Sequence, residues 1–173
     1  MKSLALLFTV FLLVSCASVR VDYDYETNTD FSKYKTYNYF SNVETGLSEL
    51  DAKRLFNALD EAMQTKGFTL SDTPDFYIDI KSSEQQQPRN SNVGVGVGGG
   101  GRNVGGGVSI GIPVGQNGIN RRVMFDFVDQ NGHGLFWQAI TESTYSPNAT
   151  PEKREAQLKA IVNKALAGYP PKK

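Results

Sequence analysis

Two stretches constrain this chain most, because each carries one apolar stripe at helical spacing and therefore demands a surface to cover. In the first, Ser48 stands before the pattern with Asp51 three residues on, a variant of the capping box, and Leu55, Leu59, Ala62 and Met63 recur on one face until Gly67 closes it. In the second, Pro151 follows Thr150 at the first helical position, and Leu158, Ile161, Val162, Ala165, Leu166 and Tyr169 form the stripe before Gly168 and Pro170 end it. The surface they require is supplied by segments of period two. From Val19 to Tyr25, Val19, Val21, Tyr23 and Tyr25 alternate with Arg20, Asp22 and Asp24, which predicts a half-buried strand. A turn is expected at Asp30-Phe31-Ser32-Lys33-Tyr34 and a short aromatic strand over Thr36 to Phe40. Phe76, Ile78 and Ile80 alternate with Tyr77, Asp79 and Lys81, a strand expected to fade into the polar run Ser82 to Asn92. Val123–Val128 and Leu135–Ile140 flank Asn131-Gly132, a strong hairpin signal, and should pair antiparallel. The expected architecture is a single α+β domain: a mainly antiparallel sheet with both amphipathic helices packed on one face.

The length permits one such core. Of 173 residues, about the first fifteen read as a targeting segment, leaving 19–173 for the folded domain. A single cysteine allows neither an internal disulfide nor a thiolate metal cluster. Eighteen basic residues balance eighteen acidic ones, so charge marks no nucleic-acid partner.

The amino terminus begins with Lys2 and runs apolar from Leu4 to Val14, then reaches Ser15 and Cys16. That run is too short to cross a bilayer as a helix, which takes about 20 residues, and has the length of a signal-peptide core. Leu13-Val14-Ser15-Cys16 resembles the lipobox of bacterial lipoproteins. The resemblance implies a signal peptide over 1–15, cleavage before Cys16, acylation of that thiol, and a short linker over 16–18. Two or more acyl chains give stable anchoring at about 0.8 kcal/mol per buried methylene. Ala17 is not the aspartate that favours inner-membrane retention in enterobacterial lipoproteins, so the expected address is the outer membrane, facing the periplasm.

Residues 93–118 hold twelve of the 17 glycines. Val93, Val95 and Val97 alternate with glycine, and so, with Ser109 and Pro113 intervening, do Val108, Ile110, Ile112 and Val114. This predicts a glycine-rich hairpin, and interior glycines together with Pro113 suggest a place at the sheet edge. A face without side chains lets another backbone approach, so Gly94, Gly96, Gly98, Gly111 and Pro113 form a candidate edge for pairing with an envelope protein.

The order of these features resembles the domain-of-unknown-function family 4136. The residues carrying the likeness are the lipobox, Asp30-Phe31-Ser32-Lys33-Tyr34-Lys35-Thr36-Tyr37, Lys66-Gly67-Phe68, Pro74-Asp75-Phe76, the glycine-rich middle, Leu135-Phe136-Trp137 and Tyr169-Pro170-Pro171. The resemblance implies a bacterial lipoprotein without assigned activity, and it supplies no catalytic residues.

Candidate chemistry is sparse. Gly94-Val95-Gly96-Val97-Gly98-Gly99 matches the dinucleotide fingerprint in letters, but no helical pattern follows to face a pyrophosphate. His133, the only histidine, sits between glycines in an expected turn, and no serine stands in a nucleophile-elbow pattern. Asp22, Asp24 and Glu26 offer oxygens on one strand face, spread too far for the six to eight ligands of calcium. Asp126 and Glu142 are a carboxylate pair to weigh, although alternation places them more simply on an outward face, and Trp137 is either core or an exposed platform. The expectation is a non-enzymatic interaction module without cofactor or metal. The rivals are a small-ligand carrier, with its site near Tyr23, Tyr37 and Trp137, and an envelope enzyme.

Overall fold

Alternation gives each strand one apolar face, and the two helical stripes close over the sheet those faces make. The computed structural model describes residues 19–86, 119–129 and 134–172. The elements are β1 (Arg20–Tyr25), a 3-10 turn (Phe31–Lys33), β2 (Thr36–Tyr39), α1 (Glu49–Thr65), β3 (Thr69–Leu70), β4 (Phe76–Gln86), β5 (Ile119–Asp129), β6 (Gly134–Tyr145) and α2 (Pro151–Leu166). They form one six-stranded sheet in the order β1-β6-β5-β4-β2-β3. Its centre and the β1 side are antiparallel, while β2 pairs parallel with both β3 and β4. The parallel pairs follow from α1, a helical crossover that brings the chain back to the end where β2 began.

The helices start and stop where their side chains say. Ser48 Oγ accepts the Asp51 amide, and Thr150 Oγ1 accepts that of Lys153. At the end of α1, Gly67 adopts φ +87°, and the Gly67 and Phe68 amides return to the carbonyls of Gln64 and Met63, a Schellman closure. Leu55, Leu59, Met63, Leu158, Ile161 and Val162 pack onto Ile78, Ile80, Val123, Phe125, Phe127 and Ala139. Tyr77, Asp79, Lys81, Met124, Asp126, Gln138 and Ile140 stay partly or fully exposed on the opposite face.

Three features differ from the pattern reading. Strand β4 does not fade at Ser82 but continues to Gln86, its polar half held by the ladder to β5 from Val123 back to Ile119. Likewise β5 and β6 extend beyond their apolar stretches. Backbone pairing with a neighbour sustains strands where side-chain burial has stopped. Finally, the loop before α1 is tied to β4: the Ser82 amide donates to Thr45 O at 2.8 Å, and Gly46, at φ +69°, lies so close that a Cβ would meet Ser82 O at 2.6 Å. The glycine-rich segment 93–118 and the tip residues Asn131, Gly132 and His133 lie outside the described residues. Gln86 pairs with Ile119, so the strands flanking the segment are interior ones; the edges among the described residues are β1 and β3.

Both helices start at one end of the sheet and finish at the other. Asp51, in the first turn of α1, meets Arg154, in the first turn of α2, at 2.8 Å. At the far end Lys66 Nζ donates to Tyr169 O at 2.8 Å.

Candidate functional site

An edge strand of a sheet carries backbone groups on which a further strand can pair. Strand β1 has β6 on one side and no described strand on the other. Its inward side chains are only half covered, with Tyr23 39% and Tyr25 43% exposed. Tyr23 is nevertheless fixed. Its hydroxyl donates to Lys164 O at 2.6 Å, and its ring lies where a Cβ on Gly168 would come within 2.7 Å. Partial burial raises the pKa of this hydroxyl. Gly168 therefore does more than end a helix: α2 stops at Leu166, and the bare glycine makes room for the ring that ties β1 to α2. At the carboxyl end of β1, a cleft of about 170 Å³ opens among Asp24, Tyr25, Glu26, Leu135, Phe136, Trp137 and Gln138. Leu135 is 49% exposed at its rim. The Tyr25 amide is taken by Asp24 Oδ1 at 2.9 Å, which closes one position of the edge and leaves the strand as the accessible element.

Beyond β1, the two ends of the sheet are built differently. Where the helices begin, Asp51 is fully buried and receives Arg54 at 2.9 Å and Arg154 at 2.8 Å, with Arg121 at 3.7 Å. Arg121, itself buried, also holds Glu84 at 2.6 Å and stacks its guanidinium 3.4 Å from the centre of the Tyr145 ring. These residues come from α1, β4, β5, β6 and α2, and only the cap position of Asp51 had drawn notice in the sequence. Where the helices finish, rings dominate. Tyr34 stacks on Phe136 at 4.2 Å, Tyr169 meets Phe127 at 4.8 Å and Trp137 at 5.0 Å, and Phe76 lies between Phe127 and Phe136. The Tyr34 hydroxyl donates to Asp129, and burial with that carboxylate pushes its pKa up to about 12. Asp75 accepts the Lys35 and Thr36 amides, each at 2.8 Å. Burial pushes its carboxyl up, but those donors and the Thr36 hydroxyl outweigh it and hold the pKa low.

Most candidates from the sequence are not drawn together. Cys16, Gly94, Gly96, Gly98, Gly111, Pro113 and His133 lie outside the described residues. Asp126 and Glu142 are no pair: Asp126 faces Gln138 and Asp79, its oxygen accepting Gln138 Nε2 at 2.7 Å, while Glu142 faces Arg20 and Arg122. Burial raises the Asp126 pKa. Asp22 and Asp24 stand on the uncovered face, and no group of three acidic, histidine or cysteine residues fit for a metal occurs among the described residues. Trp137 is core, 1% exposed, packed on Phe127 and Tyr169. Tyr23, Tyr37 and Trp137 do not line one ligand space: Tyr23 on β1 and Trp137 on β6 are neighbours, while β5 and β4 separate them from Tyr37 on β2, which is fully buried with its hydroxyl on Asp60 at 2.7 Å. Burial, with that carboxylate, drives its pKa well above the usual tyrosine range.

The fold defines a single-domain α+β protein whose described residues present exposed sheet edges and small clefts. The chain belongs to the family "Domain of unknown function (DUF4136)", whose model matches residues 19–171. No curated protein matches it. Among solved structures it is similar to a PDZ domain protein from Parabacteroides distasonis, with a TM-score of 0.54 and 14% identity, covering 99% of this chain. The chain spans 41% of that protein, and the likeness shows the fold. It is also matched to the PelC dodecamer from Paraburkholderia phytofirmans at a TM-score of 0.48 and 9% identity, covering 87% of this chain and 96% of that one. No helix of the described residues is long and apolar enough to cross a membrane.

Proposed function

We propose that this protein is a lipid-anchored, non-enzymatic interaction module of the bacterial envelope, held by acyl chains on Cys16 in the outer membrane and facing the periplasm. The observation that carries the reading is the junction between anchor and fold. The lipobox-like Leu13-Val14-Ser15-Cys16 is followed after three residues by β1, which starts at Arg20, so the domain abuts the acylated residue. The recognition surface is the edge of the sheet. Edge strands take an added strand through their free backbone groups, and β1 offers Tyr23 and Tyr25 beside the cleft, with Gly94, Gly96, Gly98, Gly111 and Pro113 as the second candidate edge. The non-enzymatic part rests on the separation of Asp126 from Glu142. The carrier reading is weaker because neither the 170 Å³ cleft nor the groove of about 270 Å³ between the helices at Thr65, Lys66, Asn163 and Leu166 reaches the roughly 300–1,000 Å³ of ordinary ligand pockets.

Feeding cells an alkynyl fatty acid tests the anchor. The full chain takes the label and sediments with membranes, and Cys16→Ala does neither; an unlabelled wild-type chain overturns the reading. A photo-crosslinker at Tyr25 or Leu135 captures a discrete envelope protein in intact cells, whereas the same group at Lys159, on the outer face of α2, does not. Equal capture from all three positions would remove the edge as the recognition surface.

A further inference from the structure

The register of β1 against β6 fixes which backbone groups of the edge are free. Glu26 N–H donates to Phe136 O at 3.0 Å, and in an antiparallel ladder the groups of every second residue turn towards the neighbour. Asp24, Asp22 and Arg20 therefore bond to β6. The amides and carbonyls of Val19, Val21, Tyr23 and Tyr25 turn the other way, where no described strand lies. Asp24 Oδ1 takes the Tyr25 amide at 2.9 Å, so the open run is Val19 to Tyr23, centred on Val21. Its side chains are sorted as well. Val19, Val21 and Tyr23 stand on the helix-covered face, where Tyr23 is still 39% exposed, and Arg20 and Asp22 stand on the open face. Across β6, Arg20 lies opposite Glu142, whereas Asp22 lies opposite Ile140, which offers it no charge.

We propose that the strand this edge receives is β1 of a second copy of this chain, paired antiparallel about a two-fold axis at Val21. The inference rests on the edge reading above and not on the lipid anchor. Val21 then faces Val21 of the second copy, and Val19 faces its Tyr23, each pair exchanging two backbone hydrogen bonds. These pairs lie on the covered face, so the second copy's Val19 covers the exposed Tyr23 ring. Between them, on the open face, Arg20 comes opposite Asp22 of the second copy and Asp22 opposite its Arg20, in the closely spaced positions with Cα atoms about 4.5 Å apart. Charge selects this register. Antiparallel registers that use the same free groups differ by two residues. One step away sets Arg20 against Arg20 on the axis; the opposite step sets Asp22 against Asp22 and draws in the blocked Tyr25 amide. Parallel pairing in register would likewise set like against like. The interface is self-complementary, as a two-fold requires, and α2 leaves room for it, since Tyr23 and Tyr25 stay exposed beyond the helix.

The experiment traps the pair in intact cells with the full chain. Val21→Cys places two thiols across the axis with Cα atoms about 5.5 Å apart, within the roughly 4.4–6.8 Å that a disulfide spans. Tyr25→Cys, on the same face, lies about 27 Å along the strand from its counterpart at roughly 3.4 Å per residue, out of reach. Yields are read against the chain without an introduced cysteine, so a free Cys16 thiol, which would sink the anchor, cannot imitate the result. Mild oxidation should give several-fold more disulfide dimer at position 21 than at position 25. Asp22→Arg in the Val21→Cys chain should lower that yield several-fold by setting like charges together, and adding Arg20→Asp should restore it, which excludes misfolding as the cause of the loss. Independently of position 21, the photo-crosslinker at Tyr25 should join the chain to a second copy of itself. Equal yields at 21 and 25, or a yield at 21 that Asp22→Arg does not move, overturns the pairing. Capture from Tyr25 of a different protein alone overturns the second copy and leaves the edge standing as a recognition surface.

Discussion

The two ends of the sheet solve the same problem with opposite chemistry. Where the helices finish, Tyr34, Phe76, Phe127, Phe136, Trp137 and Tyr169 exclude water through ring-on-ring contact. Where they begin, a buried Asp51 is surrounded by Arg54, Arg121 and Arg154. The aromatic end gains from burial whatever the exact geometry. Removing an arginine's partner from the other end leaves a charge stranded in low dielectric. The residues that carry the family resemblance gather at the aromatic end: Asp30 caps the turn by accepting Ser32 N and Oγ, Tyr34 stacks, Asp75 clamps Lys35 and Thr36, and Phe136 and Tyr169 fill the centre. What marks the chain as a family member is therefore the means of closing its fold.

The sharpest test of this contrast compares Phe136→Ala with Asp51→Ala. Each should cost about 3–5 kcal/mol in chemical denaturation, the first by leaving a cavity and the second by leaving unpaired buried charge. They separate on rescue. Arg121→Met in an Asp51→Leu background should recover part of the loss, since no buried cation is then left opposite a hydrocarbon, whereas no charge removal should help Phe136→Ala. Failure of that rescue would place the cost in packing at both ends.

A smaller effect is expected at the edge strand. Gly168→Ala forces a Cβ into the Tyr23 ring and should cost about 1–3 kcal/mol. Tyr23→Ala in that background should relieve the clash, and hydrogen exchange should show the β1 amides opening before those of β4 and β5.

Acid titration sharpens the comparison again. Asp75 is held below its ordinary pKa, so it contributes stability above the ordinary carboxylate range that is lost as pH falls through its folded value. Asp126 is raised, and the sign reverses: its contribution is present at low pH and lost as pH rises through its folded value. Asp75→Asn should therefore weaken the stability gained on leaving acid, and Asp126→Asn should steepen it. Identical pH profiles for both variants would contradict the assignments. The smallest effect belongs to the exposed pair Lys159–Glu61, 2.7 Å apart, where Lys159→Ala should change stability by less than about 1 kcal/mol.

Much of the fold was legible in the residues, and little of the site was. The helix stripes, both caps, the Gly67 closure and the inward faces of β1, β4, β5 and β6 follow from periodicity, because burial on one side repeats at fixed spacing. The two-residue β3 has too few residues to show a period. The polar half of β4 is invisible for another reason, since its strand conformation comes from hydrogen bonds to β5. Alternation sets Asp126 and Glu142 on the outward face, where they stand, but it does not tell their neighbours: the register sets Asp126 against Gln138 and Glu142 against Arg122. Nothing local marks Arg121 as buried, since its partners lie up to seventy residues before it and beside it across the sheet.

By itself, the sequence determined both helices and the apolar cores of the long strands, the α+β class, the family and the anchor-like segment ending at Cys16, because each is written in spacing or motif order along the chain. Tertiary structure alone decided that β1 and β3 lie at the edges, that Gly168 makes room for Tyr23, and that three arginines converge on Asp51. Those outcomes depend on strand order and register, which bring distant residues to within a few ångströms and leave no local trace.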